Sequence, residues 1–251
     1  MEEIKTVLKE WYENKKANLN DIKDINRSAF EETLFKAFFP GENYKEGKKV
    51  YKMMHSLNTS AGNLVEKIAH NVSKGYKLKG KNSGLYITEK QNNEIAQIIS
   101  ELDSKVIVPN PYLAKSIGLN LVNKNKSIIS IEGDIDLYME RGNNIFIFEL
   151  KSNRPNSSEA KMTKQRLLQR AVALQNMYPE KDVQTFIAFA TTSETSKEIF
   201  QKHLIEFKKY FSESEILLGD EFWEYISNGS LNIQIIKSML LAVAKDSLSK
   251  D

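Results

Sequence analysis

At 251 residues, 41% of them hydrophobic, the chain can bury one sizeable core, as a single domain or a domain with a modest appendage. It contains no cysteine, which excludes disulfides, thiolate zinc sites and cysteine nucleophiles and fits a reducing cytoplasm. The 36 Lys and Arg stand against 33 Asp and Glu, a net charge of +3 that is too balanced to indicate a nucleic-acid partner without local clustering.

The opening residues are charged and amphipathic, and no apolar run approaches the ~20 residues of a membrane span, so the expectation is a soluble cytoplasmic protein without a membrane partner. Ile4, Val7, Leu8 and Trp11 recur at helical spacing over 2–17, and Phe30, Leu34 and Phe38 do so over 26–38 before Pro40. Val50, Met53, Met54 and Leu57 predict a third helix. A fourth follows, with Ser60 or Thr59 as cap and Leu64, Val65, Ile68, Ala69 and Val72 on one face. Glu66 lies at the margin of that face and reads either as an exposed helix glutamate or as a site residue.

The stretch from Gly75 to Thr88 reads as a basic loop or short hairpin, and Lys74, Lys77, Lys79 and Lys81 crowd the short segment that opens it. Thr88 and Gln91 form a capping box for a helix through Ile95, Ile98, Ile99 and Leu102. Val106–Val108 suggests a short strand ended by Pro109-Asn110-Pro111, and 112–126 leaves room for a short helix and a turn. Residues 131–152, IEGDIDLYMERGNNIFIFELKS, predict a hairpin with a polar Gly-Asn-Asn tip.

After Arg154-Pro155-Asn156 comes an amphipathic helix from Ser158 to Met177, with Leu167, Leu168, Ala171, Val172 and Leu174 apolar and Lys161, Lys164, Arg166 and Arg170 basic. Residues 183–190 suit a buried strand. The remainder predicts a helix near 195–209, a turn at Leu218-Gly219-Asp220 and a last helix over about 231–247. The order helix, strands, helix, strand is that of an α/β core with helices packed around it. One domain over 1–251 is expected, with its core at about 56–190 and helical additions at 1–55 and 191–251.

Acid-x-lysine triplets also occur at Glu3/Lys5, Asp103/Lys105 and Glu159/Lys161, among others, so the triplet alone carries no weight. Glu149 and Lys151 differ by position: they close the run Ile145-Phe146-Ile147-Phe148 and share one face of a strand. Charges in so apolar a strand need pairing, metal or solvent. Asp134 and Asp136 also share a face, and either could meet Glu149 across the hairpin. Two carboxylates there would repel, and a divalent cation between them would turn that penalty into binding. Oxygen ligands without cysteine or clustered histidine favour Mg²⁺, with Mn²⁺ as a substitute. His55, His70 and His203 stand singly and read as packing or surface residues. Nucleophile-elbow, P-loop and dinucleotide-binding motifs are missing, so acyl transfer, nucleotide hydrolysis and dinucleotide redox chemistry lack support.

Gly133-Asp134-Ile135-Asp136-Leu137 followed by Phe146-Ile147-Phe148-Glu149-Leu150-Lys151 resembles the PD-(D/E)xK nuclease superfamily, and Gly62–Ala69 is similar to its upstream helix with Glu66 as the acid. The similar portion is roughly 56–190 and implies an αβββαβ restriction-endonuclease-like core with a central mixed sheet and additional helices at both ends. No proline precedes the first acid, which leaves Asp134 as the alternative to Asp136; the acid followed by leucine, Asp136, is the ligand the resemblance favours. Lys151–Asn156 and the basic helix resemble type II restriction endonucleases, the TdeIII-type group among them.

The resemblance implies that Asp136 and Glu149 hold Mg²⁺, that Glu66 completes or tunes the site, and that Lys151 orients the attacking water. It further implies double-stranded DNA as substrate, contacted through Lys74, Lys77, Lys79, Lys81, Arg154, Asn156, Lys161, Lys164, Arg166 and Arg170. A homodimer and a companion DNA methyltransferase acting on the same site are expected partners. The competing readings are a structure-selective repair or junction nuclease of the same superfamily and a non-catalytic DNA-binding module.

Overall fold

The computed structural model describes residues 1–20, 50, 60–80, 83–118, 128–131, 133–151, 157–192 and 207–248. In chain order these form α1 (Glu2–Asn20), α2 (60–73), β1 (Tyr76–Leu78), β2 (Tyr86–Thr88), α3 (Glu89–Asp103), β3 (Ile128–Ser130), β4 (Ile135–Arg141), β5 (Asn144–Leu150), α4 (Ser157–Met177), β6 (Asp182–Phe189), β7 (Ile216–Leu218), α5 (Gly219–Ser227) and α6 (Ile233–Leu248). The helix expected at 26–38, most of that at 50–57 and most of that at 195–209 lie outside the described residues. Two compact units result, Met1–Lys67 with Lys237–Asp251, and Ile68–Ile236. In the first, α1 buries Ile4 and Leu8, and its Trp11 indole donates to the Ser60 carbonyl at 3.1 Å.

The second unit is built on a five-stranded sheet of order β1-β4-β5-β6-β7. β4 and β5 form the expected antiparallel hairpin, with Arg141 opposite Asn144. Gly142 opens its two-residue loop at φ +57°, the left-handed first position that a type II′ turn requires and glycine accepts without strain. From β5, α4 crosses to β6, which pairs parallel to β5, and β7 extends the sheet parallel to β6.

β5 is buried on both faces, which explains its nearly unbroken apolar run. Ile145 and Ile147 pack with Leu167, Leu168, Ala171 and Val172 of α4, while Phe146 and Phe148 meet Phe186 and Tyr225 on the other side. Arg141 at the end of β4 donates to the Tyr225 and Ile226 carbonyls at 3.0 and 2.7 Å, so it satisfies the C-terminal carbonyls of α5.

Three local expectations change. The segment after Gly75 is not a hairpin: β1 joins β4, whereas β2 pairs with β3 in a separate two-stranded sheet. Val106–Val108 is not a strand, because the Val106 amide returns to the Glu101 carbonyl at 2.8 Å to close α3, and Val106 and Val108 stay 73% and 77% exposed. β7 and α5, which fall in a region expected to be helical addition, belong to the sheet and its packing; the Trp223 indole donates to the Ala190 carbonyl just past β6 at 2.8 Å.

Two buried polar contacts fix α4. The Thr88–Gln91 capping box forms as expected, and the Gln91 side-chain amide exchanges hydrogen bonds of 3.0 Å in both directions with that of Asn176. Lys164, 1% exposed, pairs with the equally buried Glu215, whose other oxygen accepts from the Ser212 amide and hydroxyl at 2.9 Å. Removing one member of such a pair leaves a buried charge without its partner, so Glu215→Ala is expected to cost about 3–5 kcal/mol in chemical denaturation. The double replacement Lys164→Met with Glu215→Leu should recover most of that loss.

Candidate active site

The hairpin register sets Leu137 opposite Phe148, and continuing it by one residue sets Asp136 opposite Glu149. Directly opposed residues share a face of the sheet. Asp136 confirms its place by a hydrogen bond: its Oδ2 accepts from the Leu150 amide at 2.9 Å, between Glu149 and Lys151. Its own carbonyl lies 2.7 Å from His70 Nε2 at the end of α2. The Lys151 amide donates to the Ala188 carbonyl at 2.8 Å, so the start of the connection to α4 is still held by β6.

Glu149 is 6% exposed and surrounded by cations. Lys151 Nζ is 3.1 Å from its Oε1 and Arg170 donates to its Oε2 at 2.8 Å, with Arg166 at 3.5 Å from Oε1. Lys151 also reaches Glu159 at 3.0 Å. Burial pushes the Glu149 carboxyl up, but the Lys151 and Arg170 charges and their hydrogen bonds outweigh it and hold it below the ordinary glutamate range. The side chain is therefore an ionised carboxylate at neutral pH.

Asp134 is engaged elsewhere, its Oδ1 accepting from the Gly80 amide at 3.1 Å. That bond ties the lysine-bearing loop after β1 to the strand that carries Asp136. Glu66 lies on α2, half-buried, within the first compact unit.

The expected basic surface divides. Lys74, Lys77 and Lys79 are exposed, whereas Lys81, Arg154 and Asn156 lie outside the described residues. The four cations of α4 turn to acids of the chain itself: Lys161 to Asp103 at 2.7 Å, Lys164 to Glu215, and Arg166 and Arg170 to Glu149. Lys164 and Arg170, at 1% and 3% exposure, cannot reach a DNA backbone as placed, because their heads are enclosed beside buried carboxylates. The sequence reading missed Glu159 and the partnership of Arg170 with Glu149. The signal was present, since positions 159, 163, 166 and 170 fall on one helical face of the element that follows the acid-x-lysine strand.

Two opposed carboxylates offer hard oxygen donors, and Mg²⁺ is commonly held by one or two carboxylates with water and substrate phosphate completing its shell. The donor set fits that ion. No cluster of three or more His, Cys, Asp or Glu that could hold a metal occurs among the described residues, so these residues do not build a closed all-protein cage.

A helix, an antiparallel hairpin bearing aspartate and then glutamate-x-lysine, a crossover helix and a parallel strand make up the restriction-endonuclease-like architecture. The profile described as "Type II restriction endonuclease, HinfI" matches residues 1–243, and the chain belongs to that family. It is the HinfI family, not the TdeIII-type group, that this match identifies. The type II restriction enzyme MjaII of Methanocaldococcus jannaschii is 28% identical over 241 residues. That alignment covers 90% of this chain and 64% of MjaII, so the chain spans less than two thirds of its curated relative.

The different bonds of the two aspartates separate their roles in hydrogen exchange. Asp134→Ala should speed exchange at the Gly80 amide by roughly 10- to 100-fold, the worth of a hydrogen bond to a charged group, and leave the Leu150 amide protected. Asp136→Ala should do the reverse.

Proposed function

We propose that the chain is an Mg²⁺-dependent endonuclease that hydrolyses phosphodiester bonds of double-stranded DNA at a short specific site, as a type II restriction enzyme. The observation that carries this reading is the Asp136 carboxylate bonded to the Leu150 amide, which groups it with Glu149 and Lys151 at one end of the hairpin. Membership of the HinfI family supports the substrate class. The absence of any helix long and apolar enough to cross a membrane, among the described residues, is compatible with it.

In this reading Asp136 and Glu149 hold the metal. The bound ion would lower the pKa of a water and neutralise charge developing on the phosphate. Lys151 orients that water and supplies a positive charge to the transition state, a role suited to its half-buried position between Glu149 and Glu159. The exposed Lys77 and Lys79 contact phosphates, which sets register without reading sequence. Two copies related by a twofold axis would present two sites to the two strands of a symmetric target, and a companion methyltransferase would protect that target in the host.

Plasmid DNA incubated with the protein and Mg²⁺ should yield discrete fragments, and chelation by EDTA should abolish them. Asp136→Ala and Lys151→Ala should each reduce cleavage by at least roughly 100-fold while the circular dichroism spectrum is retained. Undiminished cutting by both variants would overturn the site, and smears or a preference for branched substrates would point to structure-selective cleavage instead.

A further inference from the structure

Arg170 is the most deeply buried cation at the candidate site, and the mechanism above gives it no task. Its guanidinium donates through one terminal nitrogen to Glu149 Oε2 at 2.8 Å. The other terminal nitrogen lies against Gly133, where an added Cβ would come within 2.9 Å of it. Gly133 is not among the glycines with positive φ, so its backbone conformation does not demand glycine; what it supplies is room. The glycine that opens Gly133-Asp134-Ile135-Asp136 and the arginine of the crossover helix therefore form one steric unit, and Glu149 lies at its far end.

We propose that Arg170 is a positioning residue for the metal-binding carboxylate, and that Gly133 is the space that lets it act. The proposal rests on the metal-dependent reading given above. Arg170 fixes Oε2 and its enclosure keeps it there, whereas Oε1 is shared by the half-buried Lys151 at 3.1 Å and the more exposed Arg166 at 3.5 Å. Oε1 is accordingly the oxygen available to a metal, on the side where Lys151 lies. Glu149 would then offer the ion one oxygen while Arg170 keeps the other. This role replaces the phosphate contact expected for Arg170 from its place in a basic helix.

The test is Mn²⁺ binding, read from the electron paramagnetic resonance of free Mn²⁺, beside DNA affinity in EDTA and the kcat and KM of cleavage. Residues that hold a metal ligand in place typically account for 10- to 100-fold in metal affinity. Arg170→Lys, which loses the two-nitrogen fork, and Gly133→Val, which keeps every charge but pushes the fork away, should each weaken Mn²⁺ binding by about that factor. Both should lower kcat, with DNA affinity in EDTA unchanged. Because they act through one contact, Gly133→Val should add little in the Arg170→Lys background.

Unaltered Mn²⁺ affinity in both variants, including a case where only thermal stability falls, would overturn the proposal. A loss of DNA affinity in EDTA with normal metal binding would restore Arg170 as a phosphate contact and overturn it equally. If the wild-type protein bound no Mn²⁺, the metal-dependent reading would fall and this proposal with it; wild-type binding that the variants leave untouched would remove only the role of Arg170.

Discussion

The second unit depends on how it tolerates a carboxylate in the middle of its core. β5 is covered on both faces, and Glu149 near its end is almost fully enclosed. An ionised group there is costly unless charge and hydrogen bonds compensate it. The compensation comes from Lys151 two residues along the same face and from α4, packed across the strand. Much of the local sequence follows from this requirement: cations on the inner face of α4, glycine at position 133, and a backbone bond from β6 that holds the residue carrying the lysine.

The charge distribution of α4 takes a different meaning from its composition. A helix with Lys161, Lys164, Arg166 and Arg170 and few nearby acids reads as a phosphate-binding face. In the folded chain each of these cations meets an acid from a distant segment, Asp103, Glu149 or Glu215. Such pairing is invisible to a local window because the partners are 17 to 58 residues away. Lys77 on β1 and Lys79 in the loop after it remain exposed, and the backbone of that loop is tied to Asp134 through Gly80.

Legibility followed the range of the interactions. The hairpin could be read because strand alternation, turn residues and the acidic pattern all fall within 22 residues. The capping box of α3 and the extents of α4 and β6 were likewise local and were found with small changes of boundary. β1 and β7 have three residues each, too short for a period, and owe their place in the sheet to partners far along the chain. Val106–Val108 misled for the converse reason: β-branched residues suggested a strand, but the backbone donor was already committed to the end of a helix. Asp136, Glu149 and Lys151 lie together at one end of the hairpin, a proximity that the strand period makes legible, while the contact of Arg170 with Glu149 depends on which way α4 faces.

The amide pair of Gln91 and Asn176 links these themes. β2, α3 and β3 are an excursion between β1 and β4, and Gln91 at the start of α3 is clasped to Asn176 near the far end of the helix that carries Arg170. Both amides are buried, and Gln91 also reaches the Gly118 carbonyl, so the clasp is fully bonded and has no slack. α4 is thus held by side chains at two places along its length, to the excursion through Asn176 and to the buried carboxylate through Arg170, so one helix joins the two-stranded sheet to the strand that carries Glu149.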